Sequence, residues 1–209
     1  MKVKIVSLAI IALCLITVSE ASAQNLTDTS NTDEFCPRFY VAPEVLGFFP
    51  SKSSVKDSTF VGGRAGLDIT EHIAAELESG WVGLDVRGAL GKEGTLDNVP
   101  LLANARYNIM GTSSPWDIFV MGGLGVAFNW LSVDDSSVLS GHAKDGTFAA
   151  QAGGGAEYRF TQDMSLTVDV RYYWNDPRAR VTAGPAESGV ISDINADSFV
   201  AGGSFIYKF

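Results

Sequence analysis

The chain has 209 residues, 22 of them glycine, with 15 basic and 24 acidic side chains. That length suits one domain, and its net charge of −9 makes it a poor binder of nucleic acid or of an anionic membrane surface. Its charged residues amount to only 19%.

Residues 1–23 are expected to be a secretory signal peptide. Lys2 and Lys4 precede an apolar run from Ile5 to Val18, and Ala21, Ser22 and Ala23 supply a small-residue cleavage site before Gln24. Leu13 before Cys14 does not fit a lipoprotein site. Removing 23 of 209 residues leaves 186, with 13 basic and 23 acidic side chains and a charge of −10. Cys36 is then the one remaining cysteine, which excludes a disulfide framework and a cysteine zinc site. Residues 24–36 are polar and read as a flexible tail, leaving 37–209 as the folded domain.

No stretch after the leader is long and apolar enough for a membrane helix. The most apolar run, Ile118 to Phe128, contains Gly122, Gly123 and Gly125. Period-2 alternation predicts eight strands instead. They lie over 39–45, 61–69, 73–86, 101–109, 118–130, 148–160, 164–174 and 199–209. In the seventh, Met164, Leu166, Val168, Val170, Tyr172 and Trp174 alternate with Ser165, Thr167, Asp169, Arg171 and Tyr173. In the third, the apolar phase jumps from Trp81 to Val82, which suggests a β-bulge near Gly80. Connectors at 70–72, 111–115 and 161–163 are short, whereas those at 50–56, 88–98, 132–145 and 175–195 are longer. An eight-stranded antiparallel up-and-down barrel accounts for this alternation of lengths.

Such a barrel can be soluble with an apolar lumen, or it can span a membrane with a polar one. The strand charges favour the second. Glu44, Arg64, Asp68, Glu76, Glu78, Asp85, Arg87, Arg106, Glu157, Arg159, Asp169, Arg171 and Lys208 all fall on the polar phase once the bulge is allowed for. Facing lipid, a Lys or Arg would cost roughly 2–4 kcal/mol near the midplane. Eight strands enclose just enough room for side chains, so these thirteen residues are expected to form an occluded, ion-paired lumen. Aromatics add two girdles: Tyr107, Trp116, Phe160 and Phe209 at the short-connector end, with Trp81, Phe128, Trp130 and Trp174 toward the long loops.

The run Gly153 to Phe160, the turn Thr161-Gln162-Asp163, Leu166 to Trp174 and the terminal Phe209 resemble the small outer-membrane β-barrel proteins of Gram-negative bacteria, the OmpA-like and opacity-type porin family. The resemblance covers roughly Arg38 to Phe209. It implies an outer-membrane location and contact with membrane lipid and lipopolysaccharide. It also implies handling by periplasmic chaperones and the barrel-assembly machinery, which would read Phe205, Tyr207 and Phe209. A monomer that binds no nucleic acid is expected.

No catalytic, cofactor-binding or metal site is expected. His72 sits in a short turn and His142 in a long loop, without an evident serine and carboxylate set. The glycine clusters at 122–125 and 153–155 lie inside strands, and no helix follows them as a phosphate loop requires. Asp134 and Asp135 read as a solvated loop before a calcium site, and Arg178 and Arg180 could meet lipopolysaccharide phosphates. A structural or surface-interaction role through the long loops follows. The alternatives are a narrow passive porin and an outer-membrane lipid-modifying enzyme.

Overall fold

The structure, a computed structural model, describes residues 35–51, 56–88, 91–111, 114–133, 142–175, 180–183, 187–190 and 197–209. The leader, most of the tail, Asp134 and Asp135 lie outside these residues. In chain order the strands are β1 (Arg38–Pro50), β2 (Ser58–Asp68), β3 (Ile73–Gly88), β4 (Gly91–Asn108) and β5 (Trp116–Val133). They continue as β6 (His142–Arg159), β7 (Met164–Asn175), β8 (Arg180–Ala183), β9 (Glu187–Val190) and β10 (Ser198–Lys208). β1 to β7 and β10 form one closed antiparallel barrel, with β1 sealing it against β10; β8 and β9 make a separate hairpin in the last long connector.

Each barrel strand turns one phase of its side chains in and the other out, as a pleated chain must. β7 makes the polarity plain. Leu166, Val168 and Val170 are exposed by 46%, 61% and 56%, while Thr167, Asp169 and Arg171 between them are buried. The outer surface is therefore apolar and the lumen polar, the reverse of a water-soluble carrier barrel. Among the residues whose side chains are described, the outward phase of the barrel strands carries two charges, Asp85 and Asp97, both near the long-loop end.

Several features depart from the reading of the sequence. β3 runs without a bulge at Gly80: Ser79 pairs with Leu101 and Val82 with Asn98 in one register, and the register shifts only between Val86 and Arg87. The jump in hydrophobic phase has another cause. Val82 and Leu84 point inward and are buried, because at their level the lumen holds an apolar cluster with Leu46, Phe48, Phe60 and Leu96. Asp85 consequently belongs to the outward phase, 3.9 Å from Lys56 Nζ, and the side chain of Arg87 lies outside the described residues. The expected loop at 88–98 is mostly strand, since Thr95 to Asn98 pair with both β3 and β5. His142, too, opens β6 opposite Ser132 instead of lying in a loop.

The short turns are fixed by local chemistry. Thr70 Oγ1 accepts from the backbone N–H groups of His72 and Ile73, and Thr161 Oγ1 accepts in the same way from Asp163 and Met164. Between β4 and β5, Gly111 takes the left-handed conformation at φ 65° that a side chain would strain. Inside the barrel the ring of Phe60 lies flat over Gly62 and Gly80, and a Cβ at Gly80 would come within 2.3 Å of its Cζ. Gly80→Ala is therefore expected to destabilise the barrel by about 1–3 kcal/mol through overpacking. In a bilayer, Val168→Arg should cost about 2–4 kcal/mol. Urea titration of the refolded protein, read as the loss of the heat-modifiable band, measures both.

Candidate functional site in the barrel lumen

The inward phase of the strands builds its polar network in two tiers. Nearest the short turns, three acids meet three bases. Lys208 Nζ lies 2.7 Å from Asp68, Arg159 Nη2 lies 2.7 Å from Asp117, and Arg106 pairs with Glu157. Arg159 Nε is also 3.4 Å from Glu157, and the guanidinium of Arg106 stacks 3.9 Å above the ring of Phe119. This tier also fastens the β4–β5 turn: Arg159 Nη1 donates to the carbonyls of Gly111 and Ser114, while Asp117 accepts from the Met110 N–H.

Deeper in the barrel, four carboxylates share two guanidinium groups. Arg171 reaches Glu44 at 2.8 Å, Glu78 at 2.8 Å and Asp169 at 2.6 Å. Arg64 lies 3.2 Å from Glu44 and 3.5 Å from both Glu76 and Asp169. These side chains come from β1, β2, β3 and β7, so the pairs cross the lumen and tie opposite walls together. Neutral side chains complete the network. Tyr40 Oη donates to Glu76, Asn104 Nδ2 and Gln151 Nε2 donate to Glu78, and Arg64 donates to Ser204 Oγ. Nearly all of these groups are out of contact with solvent. Charges so buried persist only if paired and hydrogen-bonded, because desolvation costs several kcal/mol per ion.

Eleven of the thirteen charges singled out from the sequence thus line the lumen; Asp85 faces outward, and the side chain of Arg87 is not described. Asp117 was missed, although it stands on the inward phase two residues before Phe119. The neutral members Asn104 and Gln151, and a separate amide group formed by Asn98, Asn129, Thr147 and Asn175, were missed as well. Their signal was the same alternation, but uncharged polar residues there resemble ordinary strand positions.

The aromatic residues singled out as girdles are arranged on the outer surface. Trp116, Tyr158 and Phe160 pack in series at the short-turn end, the first pair tilted and the second edge to face, with centroids 4.6 Å and 5.1 Å apart, and Tyr207 meets Phe209 at 5.0 Å. Tyr107 stacks on His72 at the same end. Toward the long loops, Phe128 pairs with Trp130, Tyr172 packs between Trp174 and Phe199, and Trp81 Nε1 donates to Asp97. Phe205, Tyr207 and Phe209 share the outward face of the last strand, and the Phe209 N–H donates to the Phe39 carbonyl across the closing seam. Cys36 is exposed just before β1. His72 Nδ1 lies 2.8 Å from the Asn108 carbonyl oxygen. Among the described residues, no cluster of three or more His, Cys, Asp or Glu is arranged to hold a metal ion.

Removing one partner strands the others. Arg171→Ala, which leaves four buried carboxylates facing Arg64 alone, is expected to destabilise the barrel by about 3–5 kcal/mol. Lys208→Ala, at the wetter end, should cost distinctly less. Midpoints of urea unfolding for the two variants provide the comparison.

The fold is shared with several solved barrels. OprG of Pseudomonas aeruginosa superposes with a TM-score of 0.64 at 21% identity, covering 83% of this chain and 96% of that one. Outer membrane protein W of E. coli gives 0.58 at 18%, covering 85% and 100%. Neisserial surface protein A gives 0.57 at 18%, covering 82% and 97%. Comparison with curated protein sequences finds no match. The family model for the outer membrane protein beta-barrel domain matches residues 10–206. With an apolar outer wall, a polar lumen and this match over nearly its whole length, the chain belongs to the outer membrane β-barrel protein family.

Proposed function

We propose that this outer-membrane barrel is a non-catalytic structural and surface-interaction protein whose lumen is occluded. The observation that carries the reading is the buried Arg64–Arg171 network, which joins side chains from four strands across the space a solute would have to occupy. An eight-stranded barrel is just wide enough for its own side chains, and here they are both charged and paired.

The shape of the wall supports a role outside the membrane. β4, β5 and β6 have 18 residues each, against 11 to 13 in β1, β2, β7 and β10. At ~3.3 Å per residue and a tilt of ~40°, 18 residues rise about 45 Å, well beyond an apolar band of ~25 Å. One side of the barrel therefore stands out from the membrane and carries the long connectors with it. Lipopolysaccharide is the first partner in reach: Arg180 opens the hairpin of the last long connector, and guanidinium groups suit phosphates. During biogenesis, the outward face of Phe205, Tyr207 and Phe209 is what the assembly machinery would bind. The protein acts as a monomer.

Two measurements test this. Purified, refolded protein in a planar bilayer should give no conductance steps, whereas regular steps would favour a narrow porin. Added lipopolysaccharide should raise the thermal unfolding midpoint, and Arg178→Ala combined with Arg180→Ala should remove most of that rise. An undiminished rise in the double variant would take the arginines out of the contact.

A further inference from the structure

Going outward along the lumen, the character of the inward side chains changes on strand after strand. On β1, Glu44 gives way to Leu46 and Phe48; on β3, Glu78 gives way to Gly80, Val82 and Leu84; on β7, Arg171 gives way to Tyr173; and on β10, Ser204 gives way to Gly202 and Val200. The apolar residues form one continuous buried cluster that also takes in Phe60, Leu96, Leu102, Ala127 and Ala149. Phe48 and Tyr173 meet edge to face at 5.5 Å, and Phe60 lies over glycines on two strands. The layers abut: Leu46, Phe60 and Tyr173 line the same small space as Glu78, Gln151 and Arg171.

Resting on the occluded-lumen reading above, we infer that the lumen is closed by two seals in series, an apolar collar above an ion-pair plug, each sufficient to stop water and ions. They fail by different physics. Ion pairs can exchange partners, and four carboxylates around two guanidinium groups offer several nearly equivalent pairings. A constriction of packed apolar side chains excludes water whatever the ion pairs do, because a dry apolar passage dewets. Rearrangement of the plug alone would therefore open no path, and the collar isolates the charged network from the cell exterior.

Bilayer recordings on the full mature chain test the inference, with heat-modifiable migration checking that each variant is folded. Replacing Arg171 and Glu78 together by Gln breaks the plug at its centre, taking out one cation and one carboxylate and leaving Glu44, Glu76 and Asp169 to Arg64. Changing Phe48 and Phe60 together to Ala opens the collar. Each double variant is expected to stay silent, and the combination of all four changes should conduct. Steps from either double variant alone, or silence from a folded quadruple variant, would overturn the two-seal arrangement. Steps from the unaltered protein would instead sink the occluded-lumen reading itself.

Should the quadruple variant not fold, a lighter probe serves. In a Cys36→Ser background, Gln151→Cys sits beneath the collar and should resist a small charged thiol reagent added from the loop side. Adding Phe60→Ala should speed its labelling at least tenfold. Rapid labelling with the collar intact would refute the inference.

Discussion

A charged side chain turned toward hydrocarbon costs roughly 2–4 kcal/mol, and a barrel wall one residue thick offers a strand only two directions. Every charge in the spanning part must then turn inward, into a lumen with little room for water. From this one constraint follow the uncharged outer band, the crowding of acids and bases in the interior, and the need for each to find a partner across the barrel. The two outward acids keep the same logic. Asp85 lies beside Lys56, and Asp97 takes a hydrogen bond from Trp81, both at the end where the apolar band stops.

Pairing across the lumen gives those charges a mechanical role. Arg171 alone bonds residues of β1 and β3 as well as its own strand, so its loss releases contacts on opposite walls together. The apolar collar works by other means, through packing that needs no specific partner. A barrel with both kinds of interior has its stiffness and its dryness supplied by separate sets of residues. The separation is visible on single strands, where one step of two residues passes from Arg171 to Tyr173.

The turn ends are as economical. Threonine hydroxyls satisfy N–H groups in the β2–β3 and β6–β7 turns, while in the β4–β5 turn Asp117 accepts from the Met110 N–H and Arg159 donates to two carbonyls, both from inside the barrel. Arg38 fastens the β6–β7 turn to the end of the chain, bonding the Gln162 carbonyl and pairing with Asp163 beside the Phe209 carbonyl. Those contacts hold the seam between β1 and β10, where the first and last strands of the chain must meet.

The fold class was legible in the sequence because alternation is a local property. Leu166, Val168 and Val170 declare an apolar face whatever lies around them, and the absence of charge on that face distinguishes lipid from water as its neighbour. Eleven luminal charges could be found the same way. Which carboxylate meets which guanidinium could not, since the partners lie up to 127 residues apart and are joined only by strand register and barrel closure. The tertiary structure likewise decided that Val82 and Leu84 face inward. An apolar residue reads alike against lipid or in a dry lumen, and only the position of the opposite wall separates the two.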